Sequence, residues 1–279
     1  MSRLPQELVD DIISRIYHHD TSTLRACSLV CSQWSARSRK SLFTAVQLGS
    51  QSELELWCAR IRPGASGPSS LVEDLSLVDC HLSMSTPYAP KAGWDFSGGW
   101  TQPSAAWIQP SNLSKATRHF QSFTGLQALE IVGWDTFVDQ VPLMLHCFGP
   151  HSDKVTRLTL SRIFIHQSAL VTLIGHFPNL NYLSVSDLRP HWREDGTGES
   201  HGKSYGSIVP THPCGEFSVL TTRIDEPENL FRGIALLEPR FRRVILRSQY
   251  RMWRDFWPLM ETCAGFLEEL ELSTGSTGE

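Results

Sequence analysis

Apolar residues follow two different spacings along this chain, and the change comes near residue 43. In the first stretch Leu8, Ile12, Ile13 and Ile16 recur at helical spacing, as one face of a helix does. Pro5 suits the first turn, where its missing N–H would have had no partner, and Asp10 and Asp11 fall on the other side. The pattern stops at Tyr17-His18-His19, and Asp20 or Thr21 can cap a second helix by accepting an orphan backbone N–H. Leu24, Cys27, Leu29, Val30 and Trp34 then interleave with Arg25, Ser28, Ser32 and Gln33, which predicts three short helices in all. A unit of about forty residues cannot bury that much apolar surface alone. It must pack on a neighbouring domain, on a partner, or on both.

From residue 43 onward a six-residue unit recurs, apolar-x-x-apolar-x-apolar. It reads Phe43-x-x-Val46-x-Leu48, Val72-x-x-Leu75-x-Leu77, Leu126-x-x-Leu129-x-Ile131, Val155-x-x-Leu158-x-Leu160 and Leu180-x-x-Leu183-x-Val185. Two further clear copies are Phe241-x-x-Val244-x-Leu246 and Leu267-x-x-Leu270-x-Leu272, with a weaker one at Phe217-x-x-Leu220-x-Thr222. Most copies follow one another after 24 to 29 residues, within the range of leucine-rich repeats. Two intervals, of 54 and 37 residues, hold loop-like insertions, and the longer has room for a degenerate copy. In a short strand the two alternating apolar residues point the same way, into a core, and the leading one packs at the preceding turn. Stacked copies would build a parallel sheet in which no single copy is stable alone.

Helical segments lie between these strands. Ser50-x-x-Glu53 has the form of a capping box ahead of Leu54, Trp57 and Ile61. Asp139 can cap a helix carrying Val141, Leu145 and Phe148. Ala169, Leu170, Leu173, Ile174 and Phe177 form another apolar face, and Trp253, Phe256, Trp257, Met260 and Ala264 a fourth, which Pro258 should shorten or kink.

The N-terminal set resembles an F-box: Leu4-Pro5-x-Glu7-Leu8, Ile12, Ile16, Leu24, Cys27-Ser-Leu-Val30-Cys31 and Trp34, closed by Leu42-Phe43. The resemblance covers residues 3 to 43 and departs from commoner F-boxes in its short polar join His18-His19-Asp20-Thr21-Ser22. It implies docking to the Skp-family adaptor of SCF-type (cullin-RING) ubiquitin ligases. Carried over residue by residue, Leu4, Pro5, Leu8, Ile12, Leu24, Val30 and Trp34 would meet that adaptor or support the helices that do. The remainder is similar to the divergent leucine-rich-repeat domains that follow F-boxes in many fungal proteins. The expected fold is therefore α/β: a three-helix F-box over residues 1–43, then a solenoid of parallel strands alternating with helices over 44–279.

Two stretches interrupt the solenoid, at about 85–112 (rich in Pro, Gly and Trp) and 189–215 (rich in Gly, Ser and His). Partners tend to bind where loops are inserted, which makes Trp94, Trp100 and Trp107 candidate substrate contacts. The chain closes with Leu270-Glu-Leu272 still reading as a repeat strand, so either the flank of the domain protects it or the sequence is a truncated member of its family.

Composition narrows the function. A net charge of -4 gives no basic footprint for nucleic acid. Seven cysteines without compact spacing read as reduced thiols, and Met1-Ser2-Arg3 opens no signal peptide. No apolar run approaches a membrane span, so a cytoplasmic or nuclear location is expected. Gly202-Lys203-Ser204 lacks the upstream glycine of a phosphate loop, since Thr197 stands there. Cys27 and Cys31 have no second ligand pair and read as two small buried thiols; Gly275-Ser276-Thr277-Gly278 is no nucleophile elbow. No catalytic residue, metal or cofactor is expected. Arg240, Arg242, Arg243, Arg247, Arg251 and Arg254 are close enough in sequence to suggest a phosphate reader, but Arg242 and Arg243 would point to opposite faces of a strand, and a solvated rim is the simpler reading. The expected role is a substrate-recruiting adaptor, whose rivals are an adaptor-bound scaffold or decoy without ubiquitination and an enzyme with a structural helical cap.

Overall fold

The computed structural model describes residues 4–16, 20–63, 67–78, 110–133, 141–163, 165, 167–186, 213–221, 227–248 and 253–274. Three helices come first: α1 (Gln6–Ser14), α2 (Thr21–Ser28) and α3 (Ser32–Thr44). Strand and helix then alternate through β1 (Ala45–Leu48), α4 (Gln51–Arg60), β2 (Asp74–Val78), α5 (Pro110–Phe120), β3 (Ala128–Val132) and α6 (Val141–Phe148). The series continues with β4 (Arg157–Ser161), α7 (Gln167–Gly175), β5 (Tyr182–Ser186), β6 (Cys214–Thr221), α8 (Pro227–Ala235), β7 (Arg240–Ser248), α9 (Trp253–Cys263) and β8 (Glu269–Thr274). The eight strands form one parallel sheet in chain order, β1 to β8. Parallel crossovers share one hand, so steps taken always in the same direction put the helices on one side. The fold is α/β and solenoid-like, as the repeats imply.

Register turns the sequence unit into two continuous apolar rows. Val46, Leu75, Leu129, Leu158, Leu183, Phe217, Val244 and Leu270 are paired neighbours in the first, and Leu48, Leu77, Ile131, Leu160, Val185, Val219, Leu246 and Leu272 in the second. Both rows are buried as far as β7. The leading residues Val72, Leu126, Val155, Leu180 and Phe241 are fully buried at the turns. Backbone pairing also reaches one residue ahead of the strands, from Glu73 N to Thr44 O, Gln127 N to Glu73 O, Thr156 N to Gln127 O and Asn181 N to Thr156 O.

Several expectations are corrected here. β2 pairs directly with β3, so no hidden copy stands between them in the sheet. The weak copy at 217 is shifted: Phe217 and Val219, not Leu220 and Thr222, take the two inward places, opposite Leu183 and Val185. Residues 110–112 belong to α5 and 214–215 to β6, so both insertions end earlier than the sequence suggests. α9 runs unbroken through Pro258, with Phe256, Leu259 and Cys263 buried and Trp257 exposed. Ser50 caps α4 by accepting from Glu53 N, and the Glu53 carboxylate accepts from Gly49 N at 2.6 Å. Asp139 lies outside the described residues.

The boundary at 43/44 falls in the last turn of α3, which runs straight into β1. Edge-to-face rings link the two parts, from Phe43 to Trp57, Trp57 to Phe123 and Phe123 to Phe120.

β6 and β7 pair across a one-residue bulge at Arg242. Register slips between Gly215 and Glu216, and Gly215 has φ +86°, where a Cβ would collide with the Asn181 carbonyl oxygen. Gly215→Ala should therefore destabilise the chain by more than about 2 kcal/mol in chemical denaturation, through left-handed strain plus a backbone clash. An effect within 0.5 kcal/mol, as for an ordinary surface change, would show that this register is wrong.

Candidate docking surface

Helix α1 has two apolar faces. Val9 and Ile13 point inward and, with Leu24 of α2, form a small core that Ile16, Trp34 and Leu42 partly cover. Leu8 and Ile12 lie on the other side, with Leu8 50% exposed and Ile13 not exposed at all. Leu4 and Pro5 extend the outer face toward the N-terminus, both exposed. An ordinary surface helix buries one stripe and solvates the rest. A second apolar stripe on nine residues calls for something to cover it.

The join of α2 and α3 is exposed and apolar as well. Leu29 is 86% exposed, and Val30 beside it is exposed too. The Gln33 side-chain amide donates to Leu4 O at 3.4 Å, which ties the start of α1 to the start of α3, three residues past Val30. Asp20 holds α2 in place: its carboxylate accepts from Thr23 N at 3.0 Å, Thr23 Oγ1 at 2.6 Å and Ser22 Oγ at 2.8 Å. Those bonds, the Thr23 hydroxyl first, favour the ionised form and hold the carboxyl below its ordinary range.

Of the seven residues proposed from sequence, Leu4, Pro5, Leu8, Ile12 and Val30 are exposed, the first four at α1 and Val30 at the join of α2 and α3. Leu24 does not. It is wholly buried, so it supports the helices and cannot itself meet a partner; Trp34 is half-buried against the same core. Leu29 was missed as a surface residue and Val9 as a core one. The signal lay in two separate rows, Leu4-Leu8-Ile12 and Val9-Ile13-Ile16, which a single-face reading merges. Cys27 is buried as expected but Cys31 is exposed at the N-cap of α3, which corrects the paired-thiol reading. Trp94, Trp100 and Trp107, Gly202-Lys203-Ser204 and the tail glycines lie outside the described residues.

The helix-free face of the sheet is a second surface. It is rich in small hydroxyls: Ser76 donates to Glu130 at 2.6 Å, and Ser186 to Ser161 at 2.8 Å. Arg157 reaches over the small Ala128 to Asp74, at 2.7 Å. Toward β8, Arg243 sits among Glu216, Glu269 and Glu271, and Arg247 bonds Glu271. Arg242 is the extra residue of the bulge and approaches Glu268 on the surface, so Arg242 and Arg243 do not straddle the sheet. Arg242, Arg243 and Arg247 thus each have acidic neighbours, which suits a solvated rim better than a phosphate reader.

Buried titratable groups sit in the helix layer instead. Burial pushes the Cys263 thiol up to about 11 and raises Cys147, and it lowers His119 and His176. Among the described residues no three His, Cys, Asp or Glu gather as a metal site, and no helix is long and apolar enough to cross a membrane. No protein-family model matches the chain, and no curated protein matches it.

Two outcomes follow from the two-faced helix. Ile13→Ala should cost about 2–5 kcal/mol of the module's stability, whereas Ile12→Ala should stay within about 0.5 kcal/mol; equal losses in urea melts would mean that both apolar rows of α1 are buried. The Asp20 contribution is present above the ordinary carboxylate range and is lost as pH falls through its lower folded value. Asp20→Asn should flatten that acid limb in a pH series of melting temperatures.

Proposed function

We propose that this chain is a substrate-recruiting subunit of an SCF-type ubiquitin ligase, an F-box module carrying a leucine-rich-repeat-like domain. The observation that carries the reading is the second apolar face of α1, Leu4, Leu8 and Ile12, exposed along with Leu29 and Val30 on a module whose own core is small. In this reading that face seats on the Skp-family adaptor, and through it on a cullin-RING assembly. Each Leu or Ile buried there contributes about 1.5–3 kcal/mol, so a few anchors supply a stable complex while the surrounding rim contributes little.

The repeat domain then holds a protein substrate near the ubiquitin-loaded enzyme. Its contribution to rate is proximity and orientation of the substrate lysine, which asks for no catalytic group on this chain. The passage of α3 into β1 and the Phe43–Trp57 contact suit that task, because they tie the docking module to the sheet. Trp94, Trp100 and Trp107 remain candidate substrate contacts.

The test is a titration of purified Skp-family adaptor against the intact chain and against Leu8→Asp and Val30→Asp. Each variant should keep its fold, since both side chains are exposed, and should weaken binding by at least about tenfold. No binding by a well-folded intact chain would sink the ubiquitin-ligase reading.

A further inference from the structure

Histidines recur where the helices of the outer layer end. His119 stands in the last turn of α5 and donates to the carbonyl of Ile61, the first residue after α4. His151, in the short turn after α6, sets its Nε2 2.8 Å from the carbonyl of Gln121, the first residue after α5. His176 is the first residue after α7, and a Cβ on Gly149, the first residue after α6, would lie 3.8 Å from its Nε2. Three successive repeats thus set a ring against the residue that follows the preceding helix. The last carbonyls of a helix have no partner within it, and for Ile61 and Gln121 the next repeat supplies one.

Such a bond uses the one proton that a neutral imidazole already carries. His119 Nδ1 and His176 Nε2 are buried and have no partner among the described residues. A second proton on either ring would therefore enter a place that offers it no acceptor. The titratable groups on the elements around His119 are Glu55, Cys58 and Arg60 of α4, Arg118 of α5, and His146 and Cys147 of α6. Burial raises both thiols and so keeps them neutral, and the other four are exposed. Around His176 they are His151, Asp153 and Lys154 after α6 and Arg232 and Glu238 at α8, of which only His151 is buried. None of these is a buried carboxylate that would reward a charged ring. Burial holds His119 and His176 below the ordinary histidine range, against the Ile61 carbonyl in the case of His119.

His119 also stands where the helical module meets the solenoid. Ile61 N bonds Trp57 O, and the Trp57 ring lies 6.1 Å from Phe43 and 5.9 Å from Phe123. The His119–Ile61 bond and the Trp57–Phe123 contact therefore close the same seam between α4 and α5. We propose that this row of histidines is a proton-sensitive latch: mild acid charges His119 and His176, parts the helix ends, and loosens α4 from the solenoid while the sheet stays formed. A released ring takes its proton at about 6.5, whereas a closed one does so only at lower pH. The closed seam is thus fully stable above that value and weakens as pH falls below it. At about pH 5.5 each released ring favours the open form by up to about tenfold. The inference rests on the fold alone and not on the adaptor reading.

The test is hydrogen exchange on the full chain at about pH 7.5 and about pH 5.5, corrected for the intrinsic rate. The amides of Ile61, Gln121 and Phe177 are each bonded within their own helix end. They should exchange about tenfold faster at the lower pH, while those of β3 and β4 keep their protection. The double variant His119→Gln/His176→Gln keeps amide donors but cannot titrate, and it should abolish the acceleration. Titration of the two imidazoles in the unmodified chain by NMR, which needs no variant, should give midpoints below about 6.5. Midpoints at or above that value would overturn the proposal, as would helix-end protection that is equal at both pH values. So would an acceleration that the double variant retains, or one that the strand amides share, because the whole domain would then be unfolding.

Discussion

Two apolar rows running strand to strand on one side of a parallel sheet are the constraint on which the rest of this molecule depends. Each repeat offers only two or three inward side chains, such as Leu75 and Leu77 behind Val72, and these are buried only because the next repeat places Leu129 and Ile131 beside them. Parallel pairing in chain order follows, and with it the layer of helices on the same side. The opposite face is mostly polar, so Ser, Thr, Glu and Arg meet across strands there, with Val78, Val132 and Ile245 as apolar members. One-sided burial also makes the ends of the stack special. Val244 and Leu246 lie under α9 and its neighbours, whereas Leu270 and Leu272 have no layer beyond them among the described residues.

The helical module solves a different problem. Forty residues cannot supply a large interior, and its core is Val9, Ile13 and Leu24 with half-buried neighbours. The apolar residues left over, Leu4, Leu8, Ile12, Leu29 and Val30, face outward. What holds the module to the solenoid is covalent continuity through α3 and a chain of aromatic rings, from Phe43 through Trp57 into the Phe123–Phe120–Phe148 group of the main core.

Charge has a secondary part. The register lets Arg243 sit among three carboxylates and lets Arg157 pass over a small alanine to Asp74. Pairs as exposed as these contribute little each.

Much of this was legible in the sequence, because a period-two strand pattern repeated every 25 or so residues leaves few ways to bury itself. The sequence by itself determined the α/β class, the apolar rows, most strand positions, the Ser50 cap and the presence of an apolar N-terminal helical unit. It hid α5 and α8, although Leu113, Ala116 and Phe120 and then Phe231 and Ile234 stand at helical spacing, since Pro110 and Pro227 read as loop residues until they are seen at helix starts. Only the tertiary structure decided which of two adjacent rows on α1 faces inward, because periodicity shows that two stripes exist and only a neighbouring helix chooses between them. It also decided the register of β6, where Phe217 and Val219 pair with Leu183 and Val185, three residues from the apparent frame, and where Arg242 of β7 is left over as a one-residue bulge beside Gly215 in the left-handed region. Leu24 and Leu29, five residues apart and equally apolar, show the limit most simply. One is sealed beneath α1 and the other is bare to water, and nothing but packing tells them apart.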